Sequence, residues 1–386
     1  MGTPPADFDR VIDRRGTWSS KWDRYAGTEV LPFWVADMDF PMPAFVLAAV
    51  QQRLQHPVVG YTKTPATLVQ AFQDWLERNY GWSVPESWLV WLPGVVTGFN
   101  LAARATAVSG GSVIIPTPVY YPFLDVPRHA DQEGIHVPLV RDGQRWIMDM
   151  DALEAAVRPQ SRLLLLANPQ NPTGRAYQRD ELEALADFCL RHDLVLCSDE
   201  IHCQLLLAEG ARHLPVASLS PEIAARSISL YAATKTYNIP GLSCGVAVIP
   251  DADLRLRFKR AQAGLVPSPG PLEYAASEAA FADTGPWLPA LLDYLRANHR
   301  LLQKVVGTRM TPVEATYLGW IDVRDLGLAQ PGKFFEGHGI GLSDGAAFAG
   351  EGFVRFNFAC PRSLLQQGLQ RLAAGLDAAT RQAEKR

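Results

Sequence analysis

The sequence predicts an α/β protein, with a large domain on a mostly parallel sheet and a smaller α+β domain after it. Three observations carry this. Short, continuous apolar runs recur through the middle of the chain and alternate with stretches of helical periodicity. Strands buried on both faces read that way, and helices laid on both faces of a parallel sheet bury them so. Beyond about residue 280 the pattern changes to a long helical stretch, two isolated strands and a final amphipathic helix. The 386 residues, 48% of them hydrophobic, also exceed what a single core organises.

In chain order, Ser112–Pro116, Leu163–Ala167, Leu194–Ser198, Ser227–Ala232 and Gly245–Ile249 read as buried strands. Phe99–Thr106, Leu153–Val157 and Asp180–Arg191 read as helices between them. In the tail, Trp287–Val306 and Ser363–Ala378 read as helices, and Ala315–Val323 and Gly352–Phe358 as strands. The expected division is a large domain over 46–280 and a small domain built from 1–45 and 281–386. Trp18, Trp22 and Trp34 are expected in the small-domain core.

Composition narrows the function classes. The formal net charge is −4 and no Lys/Arg block stands out, so neither nucleic acid nor a membrane surface is an expected partner. No apolar run approaches the ~20 residues of a membrane span. Met1–Arg15 carries Asp7, Asp9 and Asp13 and no apolar signal-like segment, so a cytoplasmic protein is expected. The five cysteines include no CxxC pair, which suits a reduced compartment and offers no metal site. They read as small core residues, Cys203 beside His202 included. His213 and His338 point to nothing specific.

Chemistry gathers at strand ends, where open α/β sheets place their sites. Leu163–Ala167 runs into Asn168-Pro-Gln-Asn-Pro-Thr-Gly174, whose prolines would hold Asn171 in a fixed turn. Leu194–Ser198 runs into Asp199, either a helix cap or a buried charge with a cationic partner. Ser227–Ala232 runs into Thr234 and Lys235. Three successive strand ends thus present an amide, a carboxylate and an amine. A partly desolvated amine is a nucleophile toward carbonyls, and the three together match the needs of pyridoxal 5′-phosphate. Gly94 before a helix offers the Val95 and Val96 amides to a phosphate, and Tyr120 in Pro118–Pro122 offers a ring face.

These residues, in this order, resemble the aspartate-aminotransferase fold of fold type I pyridoxal-phosphate enzymes. Further stretches resemble one branch of the class I/II aminotransferase family, the MalY/PatB-type cystathionine β-lyases or C–S lyases. They are Trp34-Val-Ala-Asp-Met-Asp-Phe-Pro41, Gly60-Tyr61-Thr62, Ser198–His202, Lys235–Leu242, Ala315–Trp320 and Arg355-Phe-Asn357. The resemblance implies a seven-stranded, mostly parallel sheet and assigns roles. Lys235 carries the cofactor and, once freed, abstracts the substrate proton. Asp199 holds the ring nitrogen, Asn171 the ring oxygen, and Tyr120 stacks on the ring. Gly94, Val95, Val96 and Thr234 cradle the phosphate, and His202 completes the cofactor set. Arg355 grips the substrate carboxylate beside Asn171 and Ala36. Tyr61 reaches the phosphate of a neighbouring subunit, which implies a homodimer. The chain departs from the pattern at Ser243, where relatives outside the branch carry a phosphate-binding arginine, at Thr234 in place of serine, and at Gln204 in place of an acid.

The activity this implies is α,β-elimination of L-cystathionine or another cysteine S-conjugate to a thiol, pyruvate and ammonia. Two alternatives stand beside it. An aminotransferase would use the same lysine, acid and arginine. A regulator would act mainly through protein contacts, a role associated with this branch.

Overall fold

The computed structural model describes residues 6–385. Residues 1–5, the start of the N-terminal stretch read above, lie outside the described residues. The main sheet has seven strands: β1 Leu89–Leu92, β2 Ser112–Thr117, β3 Glu133–Pro138, β4 Ser161–Ala167, β5 Val195–Asp199, β6 Ser227–Tyr231 and β7 Gly245–Val248. Their spatial order is β1-β7-β6-β5-β4-β2-β3. β7 runs antiparallel to both its neighbours, and the others are parallel. A three-stranded antiparallel sheet follows, of β8 Leu318–Asp322, β9 Ser343–Asp344 and β10 Phe353–Asn357, in the order β8-β10-β9.

The continuous apolar runs are explained by helices on both faces of the large sheet. Along β4 the side chains alternate, Leu163 and Leu165 entering one core, Leu164 and Leu166 the other. The first core is closed by α1 Val95–Thr106 through Phe99 and by the helix Ala252–Gln262 through Phe258. The second is closed by α2 Arg179–Arg191 through Leu182, Leu185 and Phe188. Helix α3 Trp287–Val306 and the final helix α4 Arg362–Ala383 flank the small sheet.

The differences from the sequence reading have local causes. β1 is only four residues long, and β3 is an edge strand whose Glu133, Gly134 and Pro138 are exposed, so neither shows a buried run. The stretch Ala315–Val323 begins as strand only at Leu318, because Thr316 sits at φ 74°. The helix read at Leu153 starts at Met150, capped by the Asp149 carboxylate accepting from Ala152 N–H at 3.0 Å. The tryptophan expectation fails at Trp18, which is 97% exposed at φ 60° in a tight turn, while Trp22 is buried and Trp34 half-buried. The helix that follows turns Lys21 and Trp22 inward instead. All five cysteines are buried and unbridged, as core residues are.

Near the N-terminus a two-residue strand, Leu31–Pro32, pairs in parallel with Ile340–Gly341. Phe33 N–H donates to Gly341 O, and Asn357 N–H donates to Phe33 O. The loop from Trp34 to Phe40 therefore leaves the small sheet and crosses to the ends of the large one.

Candidate active site

A cavity of about 180 Å³ opens at the C-terminal ends of β4, β5 and β6. Asp199 is the last residue of β5, registered against Ala167 and Leu230. Asn171 stands in the turn after β4, and Lys235 four residues past β6. All three line the cavity, with Ala36, Gly94, Val95, Val96, Tyr120, His202, Thr234 and Ser243. Arg355, on β10 of the small sheet, is buried beside it and donates from Nη1 to Asn171 Oδ1 at 3.0 Å. Tyr61 is not brought here; it is fully exposed in the loop before the helix Ala66–Tyr80.

Asp199 and Arg355 are buried without counter-ions, and Lys235 is half-buried beside them. Asp199 is 6% exposed, accepts from Ile201 N–H at 3.1 Å, and makes no ion pair among the described residues. Burial pushes its carboxyl up to about 7, with the neighbouring Glu200 charge adding to the rise. Arg355 is 3% exposed and likewise has no ionic partner among the described residues. Its Nη2 donates to Trp34 O at 2.8 Å, its guanidinium lies 4.5 Å from the Phe348 ring centre, and its Nε is buried without a partner. Burial presses its pKa down to about 10. Lys235 Nζ donates to Ala36 O at 2.5 Å, and burial lowers this amine to about 8. His202 is buried with Nδ1 unpartnered, and burial drives its pKa well below the ordinary value.

The anion end of the cavity is the start of α1. Gly94, at φ 138°, precedes the helix, and no side chain caps its first turn, so the first N–H groups remain available. A Cβ at Gly94 would stand 3.0 Å from Ser243 Oγ. Ser243 donates that hydroxyl to Pro93 O, in the same turn. The residues present fit pyridoxal phosphate. A buried carboxylate without a cation suits a protonated ring nitrogen, and a helix N-terminus suits the phosphate. Asn171 gives its oxygen to Arg355, which leaves its N–H₂ without a partner among the described residues, a donor for the ring oxygen.

Several supporting residues lay within quoted motifs but carried no assigned role. Tyr317 Oη donates to Ala36 O at 2.9 Å. Asn357 Nδ2 donates to the Val35 and Asp37 carbonyls, each at 2.6 Å. Asn238 accepts from Met38 N–H at 2.9 Å and donates to Phe40 O at 2.7 Å. Each acts on backbone of a loop some 200 to 320 residues away, which no local pattern announces. The only available signal was their position inside the motifs around Lys235 and Arg355. His213, to which no role was given, is buried against the Glu200 carboxylate behind the site.

A seven-stranded mixed sheet with a lysine, an acid and an amide at successive strand ends defines the class. The chain belongs to the aminotransferase class I and II family, whose model matches residues 28–372. It is 35% identical to the cystathionine β-lyase PatB of Bacillus subtilis (strain 168), over 96% of this chain and 100% of that protein. Among solved structures, that of OvoB superposes with a TM-score of 0.93 at 46% identity, covering 96% of this chain and 99% of the other. Cystalysin from Treponema denticola, which contains a pyridoxal 5′-phosphate cofactor, superposes at 0.91 with 31% identity, covering 97% and 99%.

Proposed function

We propose that this chain is a pyridoxal 5′-phosphate-dependent carbon–sulfur β-lyase. It acts on L-cystathionine or a related cysteine S-conjugate and releases a thiol, pyruvate and ammonia. The carrying observation is the set of ionically unpartnered Asp199, Lys235 and Arg355 around one cavity, the acid and the arginine buried and the lysine half-buried, in a chain whose relatives include a cystathionine β-lyase.

When bound, the cofactor supplies a carbonyl that condenses with amines and a ring that accepts the electron pair left at the substrate Cα. The chain's own groups do the rest. Asp199 holds the ring nitrogen protonated. Asn171 would donate to the ring oxygen, and Tyr120 would offer its face to the ring. Gly94, Val95 and Val96 present the turn and N–H groups that hold the phosphate, with Thr234 adding its hydroxyl. His202, which lines the same cavity, would complete the set that holds the cofactor. Arg355 takes the substrate carboxylate in a planar two-point grip, next to Asn171 and Ala36. That grip sets the Cα–H bond toward Lys235. An amine lowered to about 8 is partly neutral near pH 7–8, so Lys235 Nζ can accept the Cα proton. With the proton on Nζ, the former Cα–H pair would form the Cα–Cβ double bond as the Cβ–S bond breaks, the sulfur leaving with that bond's pair.

The same reading places a homodimer around the site, with Tyr61 of one subunit reaching the phosphate of the other. The full exposure of Tyr61 supports it. It also divides the chain into a large domain over 46–280 and a small one from 1–45 and 281–386. The pairing of Leu31–Pro32 with Ile340–Gly341 supports joining the two ends. The helices Ala44–Leu54 and Pro271–Ala282 straddle the two boundaries.

The test is thiol release from L-cystathionine and S-substituted cysteines with no 2-oxo acid present. Continuous release, matched by equal pyruvate and ammonia, is expected. Release that stops after one turnover and resumes only with a 2-oxo acid would make the chain an aminotransferase.

A further inference from the structure

The loop Trp34–Phe40 is held at almost every carbonyl. Arg355 holds Trp34 O, Asn357 holds Val35 O, and Lys235 and Tyr317 share Ala36 O. The Asp37 and Asp39 carboxylates of the loop join a four-charge cluster with the N-terminal segment. Arg14 Nη2 meets Asp37 Oδ2 at 2.6 Å, and Arg14 Nη1 meets Asp39 Oδ1 at 2.7 Å. Lys21, 1% exposed, meets Asp39 Oδ2 at 2.6 Å and stands 3.7 Å from Asp37 Oδ1. Arg14 Nη1 also donates to Met38 O at 3.2 Å. Two cations and two carboxylates therefore anchor the stretch Asp37–Asp39, directly after the Ala36 carbonyl that receives the Lys235 amine.

We propose that Arg14 and Asp37 are positioning residues for Lys235. Arg14 fixes the loop so that the Ala36 carbonyl aims the amine, and it holds the Asp37 carboxylate near that amine with part of its charge balanced. Docking of the N-terminal segment then sets how readily Lys235 is neutral. The inference rests on the lyase reading only in taking Lys235 as the reacting amine.

The charges that face Lys235 come from three elements. Asp37 on the loop and Asp199 at the end of β5 favour its ammonium, and Arg355 on β10 opposes it. His202, buried nearby, is driven toward its neutral form by burial first and by the Lys235 and Arg355 charges after it. Tyr317, sharing the Ala36 carbonyl, is held protonated by burial. Asp37 is the largest of the charge influences on Lys235, after burial itself. Arg14 touches none of the cavity-lining residues and acts only through the loop.

The test is made on the full-length chain stripped of cofactor, so it needs no turnover. Lysines are reductively methylated with isotope-labelled formaldehyde and titrated by NMR. Lys235 is assigned through Lys235→Ala, and exposed Lys63 and Lys259 serve as controls. Asp37→Asn removes the charge while keeping the shape, so the Lys235 midpoint should fall by roughly half a pH unit, about threefold more neutral amine at neutral pH. Arg14→Gln should move it the opposite way, since Asp37 loses its cation. The control lysines should not move. Unchanged midpoints in folded variants, or shifts in the same direction, overturn the proposal. If both variants fail to fold, the cluster is scaffold and the proposal is wrong. Opposite shifts in a protein that releases no thiol would sink the lyase reading alone.

Discussion

Asp199 shows most clearly what this site costs the chain without cofactor. Its carboxyl titrates near 7 in the folded state, against 3.8 for the free group, because burial penalises the charged form. Between those two values the folded state keeps a proton that the unfolded state has lost. Stability therefore falls as pH rises through that window and stays low above it. Lys235 acts in a higher window. Its amine titrates near 8 instead of 10.5, so the folded state carries a costly ammonium below 8 and regains stability as pH rises toward 10.5. Both penalties are present together around neutral pH. Asp199→Asn should therefore stabilise the cofactor-free protein, on the order of a few kcal/mol, at about pH 8 and by roughly a third as much at about pH 5. Urea unfolding at the two pH values reads this directly, and equal effects at both would show that Asp199 is not strained by burial. The same variant should lose turnover by orders of magnitude, because nothing then holds the ring nitrogen protonated. Arg355→Lys tests the other buried charge. A lysine ammonium cannot make the two-point grip, so kcat/KM should drop by roughly tenfold or more while the fold survives. Near-normal kcat/KM would remove Arg355 from the substrate site.

At the scale of elements, the start of α1 is a piece whose geometry admits little change. Gly94 sits at φ 138°, a conformation closed to side-chain-bearing residues, and a Cβ there meets Ser243 Oγ at 3.0 Å. Gly94→Ala should cost about 1–3 kcal/mol and weaken cofactor retention, measured by thermal unfolding and by dialysis of the cofactor-loaded protein. Adding Ser243→Ala removes the contact but leaves the backbone strain, so it should restore only part of the loss. Full restoration would mean that space, not conformation, requires the glycine. This element was legible only together with the strand-end residues that need a phosphate site, because any glycine turn before a helix reads the same. β2, β4, β5, β6 and β7 were legible because burial on both faces leaves unbroken apolar stretches. The reversal of β7 was not, since a strand covered on both faces reads the same in either direction. The edge strand β3 was hidden by its own exposure. At the site, Lys235, Asp199 and Asn171 stood out as a series of strand ends. Tyr317, Asn238 and Asn357 did not, because they hold backbone carbonyls, and a carbonyl leaves no mark on the residue that owns it.

The whole molecule raises the question of where Tyr61 belongs. Leu47, Leu54, Val58, Val59 and Tyr61 are all more than 40% exposed within a span of fifteen residues. Single exposed apolar residues are ordinary; such a concentration in sequence is what the proposed homodimer would cover. A twofold pairing of identical chains covers the same patch on each. In the homodimer reading Tyr61 leaves its own subunit and donates its hydroxyl to the phosphate held by α1 of the other. Tyr61→Phe should then weaken cofactor binding by roughly tenfold to a hundredfold, the worth of a hydrogen bond to a charged partner, without dissociating subunits. Mixing subunits shows whether the residue acts across the interface. A Lys235→Ala subunit paired with a Tyr61→Phe subunit has one site with both changes and one with neither. Lys235 of the second subunit meets an intact Tyr61 from the first. Mixed dimers should therefore regain tight binding and turnover at one site in two. A chain carrying both substitutions, paired with wild type, should gain no such site, because its ring without the hydroxyl reaches into the only site that keeps Lys235. If the first mixture binds cofactor no better than its separate parents, Tyr61 serves its own subunit or none. The shared site would then be wrong, whatever the chain's oligomeric state.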